Sequence, residues 1–468
     1  MRASLVAGGI AVVLSTVGAR VAVAQAPRYV ATDLGDLGGG EAVAASINDS
    51  GQVAGTSWLP GHTPGGACGE RRAFLWENGV IAALPSLPGT RFGFATDIND
   101  LGDVSGNDNV YVPDPACTGG CFPGFCEAQT PVLRSDGVAI DLSEPAPTPW
   151  YAGVAFDVNN ARQVVGWSRR GDLTNPRTWH GFLWEDGTRS DLDSRADYWS
   201  IGTAINDSGL VVGYAQGPGV ESFGFAWSGG TLTPLPALQA ADRNSGTNDV
   251  NASGDAVGWS GPSTFVASAV FYPASGGVVD LGSLGGTQNS AYAMNDNGDA
   301  VGYSSTGGDQ ERHAVLWRSG QIYDLNDLIP AGTGWELVAA VGINTGGAIV
   351  GYGCRNSLWS VPLSRCLASD GSTAFRRPFL LTPTEGSIGD LIDLVRSFDL
   401  PLLWEIRLLA ELYVAQLLID AGYPELGCTV LRRFGLDVET QRGTSLTGDE
   451  ADQLLQNLAF VREDVGCS

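Results

Sequence analysis

Apolar and polar positions alternate in short runs through most of the chain, and the runs are punctuated by one recurring phrase. It consists of an apolar pair, an Asn, two or three polar residues with Gly, and a β-branched run that closes on Gly. The first copy is Ile47-Asn48-Asp49-Ser50-Gly51-Gln52-Val53-Ala54-Gly55, and the phrase returns around Asn99, Asn159, Asn206, Asn251, Asn295 and Asn344. The closing glycine is present each time, at Gly55, Gly106, Gly166, Gly213, Gly258, Gly302 and Gly351, whereas Arg162 replaces the turn glycine in the third copy. Asn and Asp tolerate left-handed backbone and bond their own main chain, and glycine adopts positive φ freely. The phrase therefore predicts a tight hairpin between two strands. A second hairpin follows it, made of an apolar-aromatic strand, a glycine turn and a short final strand. Ala73-Phe74-Leu75-Trp76 with Gly79, and Gly181-Phe182-Leu183-Trp184 with Gly187, are examples.

Four short antiparallel strands every 45 residues or so correspond to one blade of a β-propeller. The expected fold is thus all-β, a seven-bladed propeller of four-stranded antiparallel blades over residues 25–383. The seventh copy has its third strand, Pro378-Phe379-Leu380-Leu381, but lacks a fourth. Tyr29-Val30-Ala31-Thr32-Asp33-Leu34 is an orphan of that missing type. Set beside Phe379, it would close the ring and hide two strand edges.

The period changes near Thr382. Ser387 can cap a helix carrying Ile388, Leu391 and Val395, and Pro401 opens a nearly all-apolar one ending before Gly422. A third helix is expected from Pro424 to about Val438. The capping box Thr447-Gly448-Asp449-Glu450 opens a last helix, to about Val465. Residues 387–468 are expected to form a small all-α bundle of four helices.

Arg2, the apolar run Leu5 to Val17 and Ala22-Val23-Ala24 read as a signal peptide over residues 1–24. The expected location is outside the cytoplasm: medium, cell surface or periplasm. The chain carries 51 acidic residues against 26 basic ones, all arginine, a formal net charge of −25. Removing the leader takes away Arg2 and Arg20 and no acid. Such a charge excludes nucleic acid and anionic membranes as natural partners, and membrane insertion of the mature chain is not expected. Eight cysteines in an exported chain predict disulfides. Cys354 with Cys366 and Cys428 with Cys467 are the expected local pairs. Cys68 is expected to meet one of Cys117, Cys121 and Cys126, leaving the other two to join each other.

The repeated Asn-Asp-x-Gly-x-Val-Val-Gly, followed by Phe/Leu-Leu-Trp strands with His180 before Gly181 and His313 before Ala314, resembles the HAF-repeat family of bacterial extracellular proteins. The resemblance covers residues 29–382 and implies a secreted repeat protein without an assigned activity. Leu391-Ile392-Asp393-Leu394-Val395, Val438 to Gly443 and Gln453-Leu454-Leu455 resemble the FIMAH-type helical module, which implies an accessory or interaction domain.

No Gly-x-Ser-x-Gly elbow, HExxH or phosphate-binding glycine loop occurs, so no catalytic residue, metal or cofactor is assigned. The Asn-Asp phrases lack the bidentate Glu of a calcium loop and are read as turns. The connections are longest after Gly351, Gly55, Gly106 and Gly166, and they hold six of the eight cysteines. The face bearing those loops is the expected contact surface, with Arg91, Phe92, Trp150, Tyr151, Tyr198, Trp199 and Trp335 as contact residues. The expectation is a non-catalytic binder of an extracellular protein or glycan. The alternatives are a lyase or hydrolase acting on polysaccharide, and a structural cell-surface protein.

Overall fold

The computed structural model describes residues 26–62, 69–113, 125–143, 153–169, 179–193, 195, 198–263, 265–361 and 364–467. The protein is mostly β, built from successive four-stranded antiparallel meanders. In the first, Ala42–Ile47, Val53–Trp58, Arg71–Glu77 and Val80–Ala83 pair in order. Gly153–Val158 and Ser200–Ile205 open further meanders of the same order. Single parallel contacts, Arg71 with Phe92 and Ala267 with Gln288, link neighbouring meanders into two larger sheets. The last sheet departs from chain order. Trp335–Ile343, Ile349–Arg355 and Arg377–Thr384 are followed by Arg28–Asp33 from the other end of the chain, Tyr29 lying opposite Pro383 and Thr32 opposite Leu380.

The invariant closing glycines answer to a bulge. In every meander the first strand slips register opposite that glycine, between Ala44 and Ser46 in the first copy and between Gly202 and Ala204 in the fourth. The slip drives a backbone carbonyl toward the second strand. A Cβ on Gly213 would fall inside the van der Waals shell of Ile201 O, and one on Gly166 would meet Val154 O. Four of these glycines also face a fully buried ring across the next pairing: Phe74, Phe182, Phe225 and Phe379. One small residue thus serves a bulge on one side and an aromatic core residue on the other.

The C-terminal segment forms helices α1 (Ile388–Ser397), α2 (Leu402–Asp420), α3 (Pro424–Gln441) and α4 (Gly448–Val465). Ser387 with Asp390 and Thr447 with Glu450 make complete capping boxes at the starts of α1 and α4. Leu391, Val395, Leu408, Leu412, Leu431, Phe434, Leu454 and Leu458 share one core. Cys428 and Cys467 are bonded with Cα atoms 5.4 Å apart, and Cys354 and Cys366 are bonded at 5.6 Å. Both local disulfides are therefore formed. The pairing expected among Cys68, Cys117, Cys121 and Cys126 lies outside the described residues, as does the expected leader.

Helix α4 covers the N-terminal strand. Gln456 accepts from Ala31 N at 2.8 Å and donates to Ala31 O at 2.9 Å, which gives an outermost strand the partners it would otherwise lack. Arg28 meets Asp464 at 2.5 Å and Arg355 meets Asp452 at 2.6 Å across the same contact. Among the described residues, no helix is long and apolar enough to cross a membrane.

Candidate functional site

Each phrase Asn is buried, and in six of the seven the amide is bonded on both sides. Its Oδ1 accepts from the backbone N four residues on, at 2.8 to 3.1 Å in all seven copies, which closes its own turn. In every copy but that of Asn251, Nδ2 reaches into the next unit. Asn48 donates to Asn99 O, Asn99 to Asn159 O, Asn159 to Asn206 O, and Asn206 to Asn251 O, at 2.9 to 3.1 Å. Asn295 donates to Asn344 O, and Asn344 donates back to Asn48 O at 3.1 Å. An Asp could close the turn but has no donor to pass on, which is why the position is Asn.

A second set of bonds lies just outside the first. Asp49 N donates to Asp100 Oδ1, Asp100 N to Asn160 Oδ1, Asn160 N to Asp207 Oδ1, Ala252 N to Asp296 Oδ1 and Thr345 N to Asp49 Oδ1, all at 2.8 to 3.0 Å.

These turns converge on one cavity of about 230 Å³, to which every phrase contributes residues. Asp49, Asp100, Asp207 and Asp296 stand at its mouth. Asp97, Asp157 and Asp249, each two residues before a phrase Asn, line its wall. No Arg or His is among the described residues that line it. Asp157 accepts from Val158 N at 2.7 Å and from Ile205 N of the next unit at 2.6 Å. Asp249 likewise accepts from Val250 N and Met294 N, both at 2.7 Å. Burial, and then the neighbouring Asp97 carboxylate, raise the Asp157 carboxyl well above the ordinary range. Burial pushes Asp249 up to about 7. Asp249 is therefore only about half ionised at neutrality, while the exposed carboxylates at the mouth offer acceptors. Among the described residues, no three His, Cys, Asp or Glu side chains are grouped to hold a metal ion.

Of the residues expected to make contacts, Arg91, Phe92, Tyr198, Trp199 and Trp335 lie at the opposite ends of the sheets and are not brought into this cavity. Arg91 is exposed and paired with Glu70 at 2.6 Å. Phe92 is only 2% exposed, so its ring is core and not contact surface. Tyr198, Trp199 and Trp335 are half-buried. Tyr198 lies under the Arg195 guanidinium, Trp199 is set edge-on to Tyr214 at 5.8 Å, and Trp335 is edge-on to Phe379 at 6.0 Å. Trp150 and Tyr151 lie outside the described residues. His313 binds Asp324 at 2.5 Å, and that bond raises its pKa. His62 binds Glu41 at 2.9 Å.

The cavity was missed because its turns are short and look purely structural. The available signal was the recurrence of Asp97, Asp157 and Asp249 at one position where other copies carry Ser46, Ala204, Ala293 and Gly342.

No family model matches the chain, and no curated protein does. Its likeness to solved structures is one of fold alone. The β-propeller domain of the Trilobed protease from Pyrococcus furiosus is 11% identical, with 60% of this chain and 66% of that one covered and a TM-score of 0.28. The acylaminoacyl peptidase of Pyrococcus horikoshii is 11% identical, over 66% and 50%, with a TM-score of 0.39. For a structure from a study of two prolyl endopeptidases the values are 11%, 73%, 47% and 0.43. This chain spans less than two thirds of each. These structures correct the expectation that the chain is no enzyme: chains similar to it in fold belong to peptidases, so its fold gives no ground for excluding a reaction. The likeness assigns no reaction either.

Proposed function

We propose that the chain is a secreted seven-bladed β-propeller, closed by its N-terminal strand and extended by a helical module, that captures an extracellular ligand through a positively charged group. The ligand is a protein or an amino-bearing glycan. One observation carries the reading: turns from every repeat meet at a cavity whose mouth carries the four exposed carboxylates of Asp49, Asp100, Asp207 and Asp296, with no basic side chain among its described lining. Low-dielectric walls around a ring of one sign focus the field and draw in a cation. The bond from Asn344 back to Asn48 supports a closed ring. The likeness of the phrases to HAF repeats, together with two formed disulfides, supports an exported chain. The strong negative charge argues against nucleic acid as a partner.

The test uses a charge-only variant. Asn160 shows that Asn at the mouth position keeps the bond to the preceding unit. Asp100→Asn, Asp207→Asn and Asp296→Asn together should therefore leave the fold intact. Calorimetric titration with a tetra-arginine amide at 50 mM salt should show binding by the unaltered chain, weakened at least about tenfold in the triple variant. Equal affinity for both chains would reject the cavity as the site.

A further inference from the structure

Helix α2 is apolar on two opposite sides, although it buries only one of them. Leu408, Leu412 and Ala415 face the helical core. On a helix of 100° per residue, the opposite sector, about 120° wide, carries Leu402, Leu403, Ile406, Tyr413, Val414 and Leu417. Each of the six is between 47% and 82% exposed. Leu403, Ile406, Ala410, Tyr413 and Leu417 follow one another at spacings of three and four, the seam period of paired helices. Of the charged residues of α2, Glu405 lies off this face, Arg407 flanks it and is bound to Asp437 at 2.5 Å, Glu411 is met by Arg433 at 3.2 Å, and Asp420 stands at the C-terminal end of the stripe, where Gln416 donates to it at 2.8 Å.

We propose that this face is the contact between two copies of the chain, α2 against α2, about a two-fold axis. Three observations select a second copy as the occupant. The six side chains expose roughly 700 Å² per chain, close to the ~800 Å² per partner of a standard stable interface. A two-fold contact requires a patch complementary to itself, which a 3-4 stripe uncharged from Leu403 to Leu417, with small Ala410 at its centre, supplies. A lipid surface fits worse, because the arginines beside this face are held within the chain, Arg407 by Asp437 and Arg396 by Asp393 and Tyr413, and the chain has a net charge of −25.

Sedimentation equilibrium of the full chain between about 1 and 100 µM tests this contact. The expected species is a dimer. Because the like-charged chains repel, its dissociation constant should fall as NaCl rises from 50 to 500 mM. Leu403→Glu with Leu417→Glu should raise that constant at least about 100-fold. Phe265→Glu, which changes an exposed apolar residue on a β-sheet hairpin, should leave it unchanged. Ala410→Cys should oxidise to a covalent dimer through the helix midpoint. A monomer at 100 µM, or a dimer indifferent to the double substitution, overturns the proposal. A monomer that sediments with phosphatidylcholine vesicles overturns it as well and assigns the stripe to lipid.

Discussion

Asn206→Asp is the sharpest test of the inter-unit bonding. The change is isosteric and keeps Oδ1, which accepts from Leu210 N and Ser208 N at 3.1 Å, so the turn itself should survive. What disappears is the donor to Asn251 O at 2.9 Å. Losing one buried amide-carbonyl bond costs about 1 kcal/mol. Asn251 O still accepts from Gly254 N, so it is not orphaned. The new carboxylate would face that carbonyl oxygen at about 3 Å. At an effective dielectric of 20 and a carbonyl partial charge near one half, the repulsion is about 2 to 3 kcal/mol. The total, about 3 to 4 kcal/mol at pH 8, lowers the melting temperature of a unit of roughly 350 residues by about 5 °C. Acid should relieve it, since a protonated carboxyl regains a donor. At pH 4.5 the loss should shrink to about 1 or 2 °C. Differential scanning calorimetry at both pH values measures it. A melting temperature within 1 °C of the parent at pH 8, or a loss that grows in acid, would refute the reasoning.

Three further outcomes are expected. Gly213→Ala should cost about 3 kcal/mol or more in urea unfolding, because its Cβ meets Ile201 O and the Phe225 ring. Asp249 is raised to about 7, so the folded state holds its proton where the unfolded one has lost it, and its contribution to stability falls as pH rises from about 4 through 7. Asp249→Ser, which copies Ser46, should flatten that part of the melting-temperature profile; an unchanged slope would show that the carboxyl does not cause it. Gln456→Ala removes both bonds to Ala31, and hydrogen exchange at the Ala31 amide should accelerate by at least tenfold, whereas unchanged protection would mean that α4 does not secure the strand.

The strands and turns were legible because their causes are local. Asn48 closes its turn by accepting from Gln52 N, four residues on, and Ser387 and Thr447 cap their helices three residues away. The constancy of Gly213 was equally visible, but its reason was not. That reason lies in a bulge on the facing strand, and nothing in the side chains of Gly202 to Ala204 announces the slip. The second bond made by six of these Asn residues was hidden for a similar cause, since its partner stands in the next repeat. Loop length and cysteine content pointed to the far ends of the sheets. There Trp199 and Trp335 are used in packing, while the convergent charge sits on the short turns.

The strand that emerges first from the ribosome, Arg28–Asp33, finds its hydrogen-bonding neighbour about 350 residues later and its cover later still, in α4. No partial product of synthesis can therefore acquire its final outline. Until both contacts are made, Arg28–Asp33 lacks the partners that flank it in the folded protein. Loosening that seam from either terminus should free both ends of the polypeptide together.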